Sequence, residues 1–218
     1  MVKPARENPW RLTFLVFLFG ASIYAALLYF DPSVLAPFPF LSIGIAEANV
    51  APGGWKIYSS HALGVSLDYP GTFSVSTGSV RTPLSSRAAA PSSAFFAVPD
   101  SYAPGTTLST PDSGMSVETL PAATPCSGDA FLDESIDTGS MSDHGVAYSV
   151  AKSAGSTLTD SYQETVYALE GSNPCTAIRY VIHTKNVHAS ASAGLKPFDT
   201  GTLLSQFDAM RRSVVLTR

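Results

Sequence analysis

The sequence predicts an α+β fold: an antiparallel β-sheet packed with a C-terminal α-helix, preceded by a single N-terminal transmembrane helix. Three observations predict it. Residues 12–30 run for 19 positions without a charge. From Val65 onward, short segments alternate apolar and polar side chains between Gly- and Pro-rich turns, the period of half-buried strands. Near the end the spacing changes: Leu203, Phe207, Met210 and Val214 fall at steps of four, three and four, the stripe of an amphipathic helix.

Residues 12–30 approach the ~20 positions needed to cross a bilayer core. A helix buried in a soluble domain would keep a polar stripe, and none is present. Trp10 and Tyr29 stand at the two ends, where amphipathic rings favour the interface. Lys3, Arg6 and Arg11 precede the span and no cation follows it until Lys56, so residues 1–11 are expected on the cytoplasmic side. The chain is therefore expected in a cell membrane, single-pass, with its lipid partner contacted through the N-terminal helix and its C-terminal domain extracytoplasmic. A cleaved signal peptide is the rival reading, because Ala46-Glu47-Ala48 has the small-x-small form of a cleavage site. That site stands well beyond the apolar run, and the run exceeds the usual h-region, which favours an uncleaved anchor.

Residues 31–54 read as a Pro-rich tether, with Pro32, Pro37, Pro39 and Pro52 opposing helix and central strand alike. The extracytoplasmic α+β domain is expected over residues 55–218. Val65, Leu67 and Tyr69 alternate with Ser66 and Asp68, and Pro70-Gly71 turns the chain into Phe73 and Val75. Residues 78–91 carry no period and read as a loop. Residues 94–98 and 115–120 read as short strands, separated by a loop over 101–114. Three longer strands are expected over 145–152, 161–170 and 175–184. In the last, Ile178, Tyr180 and Ile182 share one face, and Ala177, Arg179 and His183 share the other, which predicts one buried and one wet face. Asp199 or Thr200 is placed to cap the terminal helix, and Arg211 and Arg212 suit its C-terminal dipole.

Composition narrows the function. Charged residues make up 14% of the 218, against roughly 25% in ordinary soluble domains. Ser, Thr, Ala, Gly and Pro fill the difference, as suits a turn-rich β fold. With Glu7 as the one acid and Lys3, Arg6 and Arg11 as the bases before Asp31, the remainder carries 16 acidic and 10 basic residues. That acidic body argues against a nucleic-acid partner, since such affinity comes largely from neutralised phosphates.

Cys126 and Cys175 are the two cysteines, and in an oxidising compartment a disulfide between them is expected. A redox pair would favour Cys-x-x-Cys, and zinc would want four clustered ligands. The histidines, His61, His144, His183 and His188, form no metal-binding motif and read as surface residues. No nucleophile elbow, Walker A loop or Rossmann fingerprint is present. No catalytic, cofactor-binding or metal-ligating residue is singled out, and no cofactor is expected. Asp129, Asp133, Glu134, Asp137 and Asp143 form the densest acidic stretch, which reads as a solvated loop face; the spacing of a calcium loop is not met.

Two pieces of the domain resemble a known family. Residues 58–75 contain Gly64-Val65-Ser66-Leu67-Asp68-Tyr69-Pro70-Gly71-Thr72-Phe73-Ser74-Val75, similar to the opening hairpin of PsbP-like (Mog1/PsbP-type) domains. Residues 203–214 resemble that family's terminal helix. Phe73 stands where the family usually has Trp, and the Ser/Ala-rich middle with its cysteine pair has no counterpart in it. The resemblance implies an antiparallel sheet covered by helices and a role that is chiefly non-enzymatic, so no catalytic residue carries over. The expected function is a membrane-anchored extracytoplasmic binding or assembly module whose partner is another envelope protein. A small-ligand or calcium-binding envelope domain, and an envelope hydrolase with dispersed catalytic residues, stand as the alternatives.

Overall fold

A computed structural model of the protein describes residues 50–51, 54–78, 92–121, 125–186 and 194–217. The expected membrane span and most of the tether lie outside the described residues. No helix among the described residues is long and apolar enough to cross a membrane.

Among the described residues eleven strands and one α-helix follow in order: β1 (Val50–Ala51), β2 (Trp55–Ser60), β3 (Val65–Pro70), β4 (Ser74–Thr77), β5 (Ser92–Ala97), β6 (Gly114–Leu120), β7 (Asp137–Asp143), β8 (Val146–Ser156), β9 (Asp160–Leu169), β10 (Cys175–Lys185), α1 (Thr200–Arg212) and β11 (Val215–Leu216). They form two antiparallel sheets, one in the order β1-β2-β3-β11 and a larger one in the order β4-β5-β6-β10-β9-β8-β7. The expected α+β architecture is observed, and β3, β5, β6, β8, β9 and β10 lie where the alternation puts them, with ends shifted by a few residues. Three strands escape the sequence reading, the first being β1, which falls within the stretch read as a tether. β2 mixes Trp55, Ile57 and Tyr58 with Lys56 and serines, and β7 is exposed along most of its length. Residues 137–143, expected as a loop face, are thus the edge strand of the larger sheet.

The β7–β8 hairpin closes through His144 and Gly145, both at positive φ (52° and 81°), between the paired Asp143 and Val146. That is a two-residue turn of the type whose twist matches the flanking strands. Gly114 is dictated by crowding instead: a Cβ there would stand 2.4 Å from the Phe96 carbonyl oxygen.

The main core lies between the smaller sheet, α1 and one face of the larger sheet. Val65, Leu67 and Tyr69 of β3, Phe96 of β5, Ile178, Tyr180 and Ile182 of β10, and Leu203, Phe207 and Met210 of α1 are buried in one cluster. The helical stripe ends on Met210, because Arg212 closes the helix and Val214 packs beyond it. Full burial of each such side chain stabilises by roughly 1.5–3 kcal/mol. Asp199 is the N-cap, accepting from the Gly201 N–H at 3.0 Å.

The wet face expected for β10 is not wet. Ala177, Arg179, Val181 and His183 are 1%, 4%, 1% and 7% exposed. β10 lies between β6 and β9 near the middle of the larger sheet. A second cluster built on Phe131, Leu132, Val166 and Ala168 covers its Cys175–Ala177 end. Phe131 belongs to a short 3-10 helix, Gly128–Phe131. Cys126 and Cys175 join as expected, with Sγ–Sγ 2.05 Å, across a sequence separation of 49. Closing such a loop stabilises by about 4 kcal/mol in the chain-entropy account.

Candidate interaction surface

Burial on both faces of β10 requires its polar side chains to be satisfied internally. Arg179 meets this need by bonding Glu118 on β6 through Nε (2.8 Å) and Nη2 (3.0 Å) and Glu164 on β9 through Nη1 (2.6 Å). Its Nη2 also donates to the Phe131 carbonyl at 2.7 Å, so the guanidinium pins the covering 3-10 helix. Burial alone would depress the Arg179 pKa, but the two carboxylates outweigh it and raise it.

His183, expected at the surface, occupies a similar clamp. Its Nδ1 lies 3.1 Å from Asp112 Oδ2 and its Nε2 2.9 Å from Asp160 Oδ1, while the ring stacks on Tyr162 with centroids 4.3 Å apart. Both ring nitrogens face carboxylates, so neither is turned toward a serine hydroxyl as nucleophilic catalysis would demand. Asp160 titrates below the ordinary aspartate range, first because the Thr159 hydroxyl donates to it and next because His183 does. His61 and His144 are exposed, and His188 lies outside the described residues.

A third clamp joins α1 to the β7–β8 turn. Arg211, 2% exposed, donates to Asp143 at 2.5 Å, approaches Asp208 at 3.4 Å and reaches the Tyr180 hydroxyl at 3.0 Å. Its guanidinium carbon sits 4.9 Å from the Tyr148 ring centroid and 4.8 Å from that of Tyr167, a cation–π arrangement with both. Arg212 bonds the same Asp143 oxygen at 2.8 Å. The hydrogen bonds from Arg212, Arg211 and His144 hold the Asp143 carboxyl well below the usual carboxylate range. Of the acidic stretch noted in the sequence, Asp137 pairs with Lys152 and Asp143 with the two arginines. Among the described residues no group of three His, Cys, Asp or Glu side chains is placed to hold a metal ion.

A groove lies at the end of the domain where the β9–β10 turn meets the residues that follow α1. It has a volume of about 910 Å³ and is walled by the β2–β3 turn (Leu63, Gly64), the β7–β8 turn (Gly145, Val146), the β9–β10 turn (residues 170–173) and residues 214–217 around β11. Of the six large hydrophobic residues that are exposed among those described, Val146, Val215 and Leu216 all line it. Glu170 is the one charged side chain of the lining. A second cavity of about 730 Å³ lies on the other side of the β9–β10 turn, against Cys126, Cys175 and Pro121.

β11 is the outer strand of the smaller sheet and pairs with β3 alone, Val215 with Ser66 and Leu216 with Val65. The Thr217 N–H donates to the Gly64 carbonyl at 2.8 Å. Because main-chain groups alternate sides along a strand, the Leu216 N–H and C=O turn away from β3, toward the open edge. The sequence holds no mark of this surface beyond the apolar Val214-Val215-Leu216 run, since its walls come from turns far apart in the chain.

No family model matches the chain, and no curated protein matches its sequence. Among solved structures, a Bacteroides thetaiotaomicron VPI-5482 crystal structure at 1.50 Å resolution aligns over 76% of this chain and 49% of its own, at 10% identity and a TM-score of 0.41. This chain thus spans about half the length of that one. The solution structure of cyanobacterial PsbP (CyanoP) from Synechocystis sp. PCC 6803 aligns over 77% of this chain and 95% of its own, at 14% identity and a TM-score of 0.41. At that level of similarity the architecture is read from the chain's own strand order.

Proposed function

We propose that this protein is a membrane-anchored, extracytoplasmic binding and assembly module that docks an extended, apolar segment of another envelope protein along β11. One observation carries the reading. The open main-chain edge at Leu216 lies beside a groove that gathers half of the exposed large hydrophobic residues. An extended segment pairing with that edge gains main-chain hydrogen bonds, and its alternate side chains enter the groove. The lining, apolar and polar apart from Glu170 and set in a net-acidic body, favours an occupant without acidic side chains. The uncharged run over 12–30 and the cations before it support the anchor and the orientation. The disulfide is in keeping with an oxidising compartment. The resemblance of residues 58–75 and 203–214 to PsbP-like domains points to the same non-enzymatic role.

Affinity capture of the full-length chain from detergent-solubilised membranes, compared with Val215→Lys, tests the proposal. Val215 is 59% exposed, so the substitution spares the core. The expected result is a co-purifying envelope protein that the variant loses. Recovery of the bait alone, or of the same partner with both chains, contradicts it.

A further inference from the structure

We infer that Asp112, His183 and Asp160 form a proton-operated clasp that fastens the turn at residues 109–113 to β9 and β10. A neutral imidazole has one N–H and one lone pair, whereas the imidazolium donates from both nitrogens. Here each nitrogen faces a carboxylate oxygen, at 3.1 Å and 2.9 Å. With a neutral ring, one lone pair would confront an anionic oxygen. The geometry therefore selects the charged ring, and histidine is the side chain that gains and loses its charge near neutral pH.

The two arms are unequal. Asp160 is fixed independently, since the Thr159 hydroxyl donates to it at 2.5 Å and its backbone pairs with Lys185 in the β9–β10 ladder. The Asp112 side chain is 54% exposed and belongs to a turn, so it is the arm that leaves when the ring loses its proton. The turn also meets β10 through the Ser109 N–H on the His183 carbonyl (2.9 Å) and the His183 N–H on Ser113 Oγ (2.9 Å). Among the described residues, the titratable and charged groups around the ring are Asp112 from the turn, Asp160 and Tyr162 from β9, and Lys185 on β10 itself. Tyr162 stays neutral, because burial first and the Asp160 and Asp112 charges next raise its pKa. The clasp is closed while the ring carries both N–H donors against the two carboxylates, and it opens when the ring gives up one proton.

Hydrogen–deuterium exchange on the full-length protein in detergent, across pH 5 to 9 and corrected for intrinsic base catalysis, reads the clasp directly. Peptides covering 109–113 should lose about tenfold in protection over that range, the effect of one charge-assisted hydrogen bond. Peptides from the β6–β10 ladder should not change with them. Asp112→Asn and His183→Gln should each give low protection at 109–113 that no longer varies with pH; Asp112→Asn, at an exposed site, reads the clasp even where His183→Gln misfolds. Protection at 109–113 that is flat with pH in the unsubstituted protein, or a pH step that survives in either variant, overturns the inference.

Discussion

Across the β6–β10 pair, the Arg179 guanidinium meets the Glu118 carboxylate in a bidentate contact, 2.8 Å from Nε and 3.0 Å from Nη2. Both side chains are 5% exposed, so neither charge has water to fall back on. Arg179→Ala should therefore cost about 3–5 kcal/mol in urea unfolding, mostly from two stranded carboxylates. Replacing Glu118, Arg179 and Glu164 together by leucine or methionine should cost clearly less than the single change. A triple variant that is no more stable than Arg179→Ala would contradict this.

On α1, Phe207 is fully buried and packs its ring 5.2 Å from Tyr180 and 6.3 Å from Phe73. Phe207→Ala should cost about 3–5 kcal/mol, the range for an aromatic core truncation. Asp199→Ala, which removes only the cap, should cost about 1 kcal/mol. Denaturant midpoints measured side by side check the ranking.

The disulfide predicts a mobility difference between reducing and non-reducing gels. The Cys126→Ser/Cys175→Ser double variant should unfold more easily by up to about 4 kcal/mol. Equal midpoints with and without reductant would show that the bond contributes nothing to folding.

Acid should weaken the fold through Asp143 and Asp160. Both carboxyls titrate below their ordinary value in the folded chain. A depressed native pKa contributes stability above the unfolded value, near 3.9, and that stability is lost as pH falls further. Asp143→Asn should flatten this part of the acid limb in a plot of stability against pH; an unchanged limb would show that the arginine clamp does not couple to folding.

The contrast between what the sequence reveals and what it hides is physical. β3 and β10 were legible because Val65, Leu67, Tyr69 and Ile178, Tyr180, Ile182 keep a strict period of two. α1 was legible because Leu203, Phe207 and Met210 keep the helical one and Asp199 precedes them. The second face of β10 was illegible because Arg179 and His183 look like surface residues until their partners are known. Those partners, Glu118 and Asp112, stand 61 and 71 positions away. No local pattern encodes such a pairing. The groove was hidden for the same reason, as three turns and β11 assemble it only in the folded chain. The cysteine pair was legible because two cysteines leave only one pairing within the chain.

The docking edge is the centre of the account, and site-specific photocrosslinking tests it most directly. A photoreactive side chain placed at Val215 in the full-length protein, expressed in intact cells, should yield a discrete adduct with the proposed envelope partner, and one placed at exposed Leu158, at the distant β8–β9 turn, should not. Adducts from both positions alike, or none from Val215, would contradict the proposed strand-docking function.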